Sequence, residues 1–560
     1  MGLSYSTLLT RFTSSIAGFQ PQRMRMLLLA AAALVTLGVS FVFNAGLHSF
    51  EEQTAALSWR LNPAERPEDR ISIISIDERS IAELGPFPWS RDTMAQLAEA
   101  LNAAGVQMQV YDVLFSEARE GDEAFIAALA NTKAVIAQTP TLEPDQTTRT
   151  GLLTHPLSGV SCERSANVGS GHLGAHPAFA NIPKGNITAL VASDGAIREV
   201  PAYICIDGQA YPHMALSSLL MLTGAESWSV SIEPGTSLFG PEQVLRIDSY
   251  PGLEIPLDAA GNLRVSFRND PGVYRYFPAV DIINGTIPRD LLENTAVIVG
   301  TTAFGLDDIV PTPYSGAAAG VEFHARILGS LLDDTVPYTP KGASLYRALL
   351  SLVFAGLLFW VASAKERVSG YALAMVGVFA PAFAWLMHTV LLDGYSVWVG
   401  WLFPALYAMS GAVMLILYEY ARVRLERSRV LNNLSSYLPG DMAHEIAYTL
   451  PNSSIAARRQ DVTLLSADLR NFSAYGEARP PEEAAALLHY FFVRTTDIIE
   501  KHGGTVHEFK GDSLLAVWNA SDEAAAASAL AAALDMQRTI QDVLPQHPPA
   551  GLEPLALGIG

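Results

Sequence analysis

The sequence predicts an α/β domain held between membrane-spanning helices and followed by a smaller α+β domain. Half of the 560 residues are hydrophobic, and the mean hydropathy of +0.23 is typical of a membrane protein. Four apolar runs have the length of a helix that spans a bilayer. Outside these runs, short apolar strand patterns alternate with amphipathic helical patterns, which indicates α/β layers.

The four apolar runs lie at 26–47, 345–363, 370–392 and 397–417. Lys365 and Arg367 stand between the second and third runs, and the arginine-rich "EYARVRLERSR" follows the fourth. Positive charge accumulates on the cytoplasmic side of spanning helices. We therefore predict a multi-pass protein of the cell inner membrane, with one spanning helix before the α/β domain and three after it, within 345–417. Residues 48–344 are then extracytoplasmic, and residues 1–25 form a cytoplasmic N-terminus.

The first run is predicted to be an uncleaved anchor rather than a signal peptide. It is longer than a typical signal-peptide core, and no small-x-small cleavage site is obvious. His388 lies inside the third run, where an ionisable residue is either functional or a neutral imidazole bonded to a neighbouring helix. We favour the second interpretation.

Charge and cysteine content exclude several classes of protein. The formal net charge of −20 argues against a nucleic-acid-binding protein, which should carry a basic face. The two cysteines, Cys162 and Cys205, are too few for a disulfide scaffold or a Cys-rich metal site. Both are predicted to lie on the oxidising side of the membrane. The sequence leaves open whether they form a disulfide bond or stay as buried thiols.

The extracytoplasmic region begins with a strand–helix–strand pattern. "ISIISID" (71–77) reads as a buried strand, a helical pattern ends at Gly105, and "VQMQVYDVLF" reads as a second strand. A late strand at 295–302 and a helix at 320–334 repeat the pattern. This order implies parallel strands covered by helices.

Acidic residues and histidines in this region could be taken for a metal site. Asp77, Asp112 and Asp122 stand at the ends of elements, where capping and turn roles are expected of aspartate. His172 and His176 are four residues apart, but the intervening glycine and the following proline indicate a loop. We therefore predict structural roles for all five residues.

Several stretches of residues 48–344 occur in the order of a known family: "ISIISIDERSIAELGPFPWSRDTMAQLAEAL", "VYDVLFSE", "GDEAFIAAL", "DGAIREVP" and "AVIVGTTAFGLDDIVPTP". Together they resemble the CHASE-type extracytoplasmic sensor domain of the second class, which usually precedes three clustered spans. The resemblance implies reception of a signal outside the membrane. It does not identify the ligand.

Residues 418–454 are predicted to form a cytoplasmic linker. Leucines recur there at Leu425, Leu431, Leu434 and Leu438. The spacing of the last three suggests a short dimer-forming helix, with a solvated connector helix as the alternative.

Two aspartates follow strand patterns in the C-terminal region. "DVTLLSAD" is an apolar strand that ends at Asp468, and "TVHEFK" and "SLLAVW" form a predicted hairpin joined through Gly511 and Asp512. A carboxylate at a strand end and another in a neighbouring turn suit two Mg²⁺ or Mn²⁺ ions, which bridge to phosphates. On spacing alone, an ordinary hairpin is the simpler interpretation.

Three stretches favour the metal site over an ordinary hairpin: "TLLSADLRNFSAYGE", "IIEKHGGTVHEFKGDSLLAVW" and "LALGIG". They resemble the class III nucleotide cyclase catalytic domain, an α+β ferredoxin-like fold, and place an incomplete copy of it at 455–560. The resemblance implies that Asp468 and Asp512 are catalytic and hold two metal ions, with Leu469 at the metal site. The turn that lies against the triphosphate in the family is matched by Asn471, Phe472 and Ser473. The implied reaction is attack of the ribose 3′-hydroxyl on the α-phosphate, which gives a 3′,5′-cyclic nucleotide and pyrophosphate.

The purine-contacting position of the family is matched by Glu508. A carboxylate accepts from the N–H donors of guanine, whereas the lysine of adenylate cyclases donates to adenine. Lys510 lies on the same strand face as Glu508 and could pair with it or contact adenine itself. We expect ATP as the substrate, with GTP as the alternative, because receptors of this architecture are mostly adenylate cyclases.

The family's domain continues beyond the strand that begins in "LALGIG". The continuation carries a second base contact and the Asn and Arg of the transition state. A complete product of 560 residues is therefore expected to be an inactive sensor or interaction protein. A fragment of a longer product is expected to belong to a homodimeric enzyme. The signature motifs of a diguanylate cyclase or a histidine kinase are not found.

Overall fold

The computed structural model describes residues 20–61, 63, 67–163, 165–192, 194–224, 227–305, 309–312, 318–364, 366–435, 461–520, 522–541 and 554–560. The chain divides into two compact units, Met1–Leu417 and Tyr418–Gly560, each described by itself. The predicted linker lies partly outside the described residues. Leu425 is on a helix, but Leu438 is not described, so the dimer-forming helix stays a prediction.

The helices of the first unit are α1 (Pro21–Val42), α2 (Asn44–Leu61), α3 (Glu78–Leu84), α4 (Arg91–Ala104), α5 (Asp122–Ala130), α6 (Met214–Leu222), α7 (Ala279–Ile283), α8 (Gly320–Leu332), α9 (Ala343–Ala362), α10 (Glu366–Tyr395) and α11 (Leu402–Ser435, which crosses the boundary between the units).

The strands of the first unit are β1 (Ile71–Ile76), β2 (Met108–Tyr111), β3 (Lys133–Thr141), β4 (Arg149–Thr150), β5 (Gly171–Leu173), β6 (Lys184–Asn186), β7 (Leu190–Val191), β8 (Ile197–Pro201), β9 (Tyr203–Ile206), β10 (Gln209–Pro212), β11 (Val230–Pro234), β12 (Gln243–Ile247), β13 (Tyr250–Leu257), β14 (Asn262–Arg264), β15 (Arg275–Pro278), β16 (Ala296–Thr301), β17 (Ile309–Val310) and β18 (Ala318–Ala319).

Among the described residues, four helices are long and apolar enough to cross a membrane: α1, α9, Gly370–Tyr395 of α10 and Leu402–Val430 of α11. They overlap the four predicted apolar runs. The helical segment that starts in α1 is interrupted at Phe43 and continues as α2, so α1 ends before the predicted boundary at 47. The last helix begins at Leu402 rather than 397, because the preceding residues pair with Tyr338 through backbone hydrogen bonds.

A mostly parallel sheet forms the centre of the α/β domain, in the order β15-β1-β16-β2-β3-β5-β4, with β6 beside β3. Strands β15, β1, β16, β2 and β3 run parallel to one another, whereas β5 pairs antiparallel with β3. The predicted parallel arrangement is confirmed. The late strand β16 nevertheless separates β1 from β2, so these two strands are not direct partners.

Successive residues of the central strands enter two different cores. Ile73 and Val110 face the core that contains α6 and α8. Ile74 and Tyr111 face the core that contains α4 and α5. Because helices cover both faces, every position of β1 is buried, which explains its uninterrupted apolar run.

Cys162 and Cys205 form a disulfide bond, with their Cα atoms 5.8 Å apart. Cys205 lies on the buried strand β9, whereas Cys162 lies in an irregular segment. The sequence left open whether the two cysteines form a disulfide bond or stay as buried thiols, and the structure shows the disulfide bond.

The acidic residues at element ends have structural partners. Asp77 caps α3 by accepting a hydrogen bond from the backbone N–H of Ser80 at 2.8 Å, which confirms its predicted capping role. Asp122 begins α5 and accepts from Arg91 at 2.7 Å. Asp112 lies 3.7 Å from His324. Each of the three aspartates thus has a side-chain or backbone partner within the domain.

His172 and His176 also occupy separate structural positions. His172 lies on β5, and His176 caps a single 3₁₀ turn by accepting from the backbone of Ala178. Among the described residues, no group of three or more His, Cys, Asp or Glu side chains is arranged to hold a metal ion. In α10, His388 contacts the backbone carbonyl of Val399 at 2.6 Å. Its partner is thus a carbonyl just before α11, not a neighbouring helix as predicted.

The second unit contains β19 (Thr463–Arg470), α12 (Phe472–Glu477), α13 (Pro481–Lys501), β20 (Thr505–Lys510), β21 (Ser513–Trp518), α14 (Glu523–Gln541) and β22 (Ala556–Ile559). Its strands form one antiparallel sheet in the order β20-β21-β19-β22. Helices α13 and α14 cover one face and share its apolar core. The opposite face carries the predicted site.

Candidate active site

Strand β19 places Asp468 on the open face of the small sheet. Leu465, Ala467 and Leu469 are buried against the helices, and Asp468 lies on the exposed side between them. Since successive strand residues point to opposite faces, burying the apolar set fixes the direction of the carboxylate. Asp468 pairs with Ser513 of β21 in the register.

The hairpin between β20 and β21 brings Asp512 beside Asp468. The two strands are joined by Gly511 and Asp512, and the φ of +64° at Gly511 suits a turn with glycine in the first central position. The carbonyl of Asp512 accepts a hydrogen bond from the backbone N–H of Leu469 at 3.2 Å. That bond fixes the turn against the end of β19.

The two carboxylates interact electrostatically. The pKa of Asp468 is raised, first by partial removal of water and second by the negative charge of Asp512, while Arg470 opposes the change. Repulsion between like charges at a partly exposed site is relieved when a cation binds between them. The pair therefore has the electrostatics of a cation site.

The donor set fits Mg²⁺ or Mn²⁺. Asp468 and Asp512 offer hard oxygen ligands, and Leu469 can add only its carbonyl, because its side chain is buried in the core. Mg²⁺ is commonly held by one or two carboxylates, with water and substrate phosphate at the remaining positions. The site meets that requirement without a third carboxylate.

The pairing of β20 with β21 decides which face Glu508 occupies. The register shifts between Val506 and Glu508, so that His507 has no direct partner, Glu508 pairs with Leu515, and Lys510 pairs with Ser513. Directly paired residues of an antiparallel sheet point to the same side. Glu508 and Lys510 consequently share the open face with Asp468.

Lys510 and Asp468 are both aligned with Ser513. Lys510 pairs with Ser513 on one side, and Ser513 pairs with Asp468 on the other. With strands about 4.8 Å apart, Lys510 is roughly 10 Å from Asp468 along the backbone row. The phosphates and the base of a nucleotide are separated by a distance of this order. Asp468 and Lys510 are therefore far enough apart to suit the two ends of such a ligand.

The turn after β19 is held by its own contacts. Asn471 has a φ of +66°, and its side-chain amide donates to the carbonyl of Pro554 at 3.0 Å. Phe472 packs against the core and stacks on Tyr475 with ring centroids 6.5 Å apart, whereas Ser473 is exposed. The side chains of Asn471 and Phe472 are thus used to shape the turn, and Ser473 is free to face a ligand.

Sequence reasoning did not single out Arg470. It is exposed on the same face as Asp468, two residues along β19, and opposes the raised pKa of that carboxyl. The strand alternation that placed Asp468 would also have placed Arg470. A cation here suits the phosphates of a nucleotide.

The fold and site together define a class: an α/β domain flanked by helices of membrane-spanning length, followed by a sheet with paired carboxylates on its open face. The model of the CHASE2 domain matches residues 29–364. The chain belongs to the CHASE2 domain family. The predicted likeness to the second class of CHASE-type sensor domains is thereby confirmed.

Matches to cyclases cover a smaller part of the chain. "Adenylate cyclase 1" of Rhizobium meliloti (strain 1021) is 42% identical over 65 residues, which is 12% of this chain and 10% of that protein. The chain therefore spans about a tenth of this relative. The predicted resemblance to nucleotide cyclases is confirmed by this match.

Solved cyclase structures are also similar in part. The crystal structure of the guanylyl cyclase Cya2 is 39% identical, covering 18% of this chain and 51% of that chain, with a TM-score of 0.16. A bacterial light-regulated adenylyl cyclase is 23% identical, covering 26% of this chain and 42% of that chain, with a TM-score of 0.22. The chain spans about half the length of each.

Proposed function

We propose that the protein is a membrane receptor that senses an extracytoplasmic signal and converts ATP to 3′,5′-cyclic AMP and pyrophosphate in the cytoplasm. The observation that carries the proposal is Asp468 on the open face of the small sheet with Asp512 in the adjoining turn, and with Lys510 and Arg470 on the same face as Asp468. Two acidic and two basic groups on one face suit a metal-bound triphosphate. The ferredoxin-like class of this domain is part of the proposal.

Each side chain has a proposed role. Asp468 and Asp512, with the Leu469 carbonyl, hold two Mg²⁺ or Mn²⁺ ions, which when bound polarise the phosphate and stabilise the leaving pyrophosphate. Arg470 offsets the negative charge of the phosphates. The turn at Asn471, Phe472 and Ser473 positions the triphosphate.

The base is proposed to lie over Glu508 and Lys510. Lys510 donates to adenine, and Glu508 either pairs with Lys510 or accepts from the N–H groups of guanine. ATP is the preferred substrate in this proposal. A guanylate cyclase is the second candidate, since the pairing of β20 with β21 puts the Glu508 carboxylate on the open face.

The proposed location of the protein is the inner membrane, with residues 48–344 on its extracytoplasmic side. Lys365, Arg367 and the arginines after residue 417 support it through the positive-inside rule. The disulfide between Cys162 and Cys205 supports it as well, because such bonds persist in oxidising compartments. The sensed ligand is not proposed.

The active form is proposed to be a homodimer, because the cyclase family builds its site between two copies. The test uses the full product of the gene in membranes, incubated with ATP or GTP and Mn²⁺. Cyclic AMP that disappears in Asp468→Asn supports the proposal. A folded membrane protein that forms no cyclic nucleotide from either substrate would favour an inactive sensor instead.

A further inference from the structure

A groove of about 470 Å³ lies between the beginning of α9 and the end of α10. Its volume is within the range of ~300–1,000 Å³ that is usual for ligand pockets. The residues that the two helices contribute are Ala343, Leu345, Tyr346, Leu349, Met387, Leu391 and Tyr395. The lining is almost entirely apolar, which suits a hydrocarbon ligand.

A loop of the sensor domain closes one end of the groove. It connects β11 to β12, and its tip carries Leu238 and Phe239, which line the groove yet are 56% and 79% exposed. The carbonyl of Leu238 accepts from the N–H of Gly342 at 2.7 Å, and the carbonyl of Gly240 accepts from the N–H of Lys341 at 2.9 Å. The tip is therefore fixed at the beginning of α9.

A bilayer around the beginning of α9 would explain why the apolar side chains of Leu238 and Phe239 are exposed at this tip. Adjacent exposed leucine and phenylalanine side chains are unfavourable in water but favourable in the acyl region of a membrane. Tyr338, Tyr346 and Tyr395 line the same groove, as expected of an aromatic belt at the interface. The groove thus opens where two spanning helices meet the extracytoplasmic membrane surface.

We propose that the groove binds one phospholipid of the outer leaflet, with an acyl chain between α9 and α10 and its phosphate near Lys341. Lys341 is exposed beside Pro340, which lines the groove, so its ammonium group complements the phosphate. This rests on the proposed placement in the membrane. The lipid contacts the sensor domain and two spans at once, which makes it a constituent of their junction.

The test counts lipids that stay bound to the full chain after transfer from nanodiscs of phosphatidylglycerol and phosphatidylethanolamine to detergent, by native mass spectrometry. One phospholipid should be retained. Leu391→Trp fills the groove and should lower retention about tenfold, since overfilled sites lose binding on this scale. Lys341→Gln should lower it about fivefold. Val378→Trp, at a 68% exposed position of the same helix, should leave it unchanged.

A second measurement needs no variant. A phospholipid with a photoreactive acyl chain should label the segments around Phe239 and Leu391 more than the segment around Val378. Equal retention by the wild type and Leu391→Trp, or uniform labelling along exposed helix faces, overturns the inference. If the chain is recovered in membranes but retains no lipid, only this inference is wrong. If the chain is absent from membranes, the proposed placement in the membrane is wrong as well.

Discussion

Glu52 and Arg264 form a buried ion pair that joins α2 to β14 of the sensor domain. Two hydrogen bonds of 2.9 and 3.0 Å link them, and their side chains are 5% and 10% exposed. The guanidinium also lies 4.6 Å from the ring centre of Trp398. Glu51, the neighbour of Glu52, accepts from the backbone N–H of Leu402 at 2.8 Å. Two adjacent carboxylates thereby connect β14 to the start of α11.

Glu52→Gln should destabilise the first unit by about 3 kcal/mol, because it leaves a buried guanidinium without its main charge partner. Glu199 lies 3.3 Å from Arg264 and remains as a second partner, so we expect the lower end of the ~3–5 kcal/mol that is usual for breaking a buried pair. Thermal unfolding of the detergent-solubilised chain measures the effect. The control Arg149→Gln breaks an exposed pair with Asp207 and should cost at most about 1 kcal/mol. Equal losses in the two variants would contradict a structural role of the buried pair.

Mn²⁺ or Mg²⁺ should raise the melting temperature of the second unit in the wild type, because a ligand that binds only the native state stabilises it. Asp468→Asn should abolish the rise and lower the proposed cyclase activity at least about a hundredfold, as expected when charge stabilisation in a transition state is lost. Ser466→Ala, on the same face of β19, is the matched control. A metal response that survives in Asp468→Asn would place the ions elsewhere.

The raised pKa of Asp468 predicts a pH dependence without metal. The native state holds this proton more tightly than the unfolded chain, whose aspartates titrate near the ordinary value of 3.8. The contribution of this carboxyl to stability should therefore be largest below that value and fall as the pH rises through the native pKa. Asp468→Asn should remove this component. Melting temperatures measured in EDTA from pH 3.5 to neutral, in steps of about half a unit, test the sign.

Metal affinity should change in the opposite direction. Because the ions bind the ionised carboxylate, Mn²⁺ affinity should rise over the same pH interval in which stability without metal falls. Titration with Mn²⁺ at several pH values measures it. An affinity that does not vary with pH would mean that Asp468 is not a ligand.

Lys510→Met should reduce kcat/KM for ATP more than for GTP, and Glu508→Gln should do the reverse. A missing hydrogen bond to a base edge costs about 1–3 kcal/mol, or roughly 5- to 150-fold in discrimination. His507, which the bulge leaves without a direct partner, gives the control variant His507→Ala. If neither substitution changes the ratio of the two products, base selection does not occur at this strand.

Replacing both Cys162 and Cys205 by Ala should destabilise the first unit by about 4 kcal/mol, on the chain-entropy account of a loop of this length. Non-reducing electrophoresis of the wild type checks the bond, and unfolding with and without a reductant measures its contribution. Reductant should leave the double variant unaffected. An unchanged melting temperature of the reduced wild type would count against the bond.

Much of the local structure follows from short-range patterns. The uninterrupted apolar run of β1 predicts a strand covered on both faces, and the turn at Gly511 and Asp512 predicts the hairpin; both are confirmed. The four apolar helices were predicted for the same reason, since length and hydropathy are properties of a contiguous segment. The metal site at Asp468 stays a prediction.

Short stretches of the sequence are enough to predict strands, hairpins and apolar helices, because periodicity is set by neighbouring residues. The three-dimensional structure was needed to show that β16 lies between β1 and β2, that Cys162 bonds Cys205, and that a bulge at His507 lets Val506 enter the core. These outcomes depend on partners distant in the chain. Their pairing is selected by burial across the whole domain, which no short window of sequence contains.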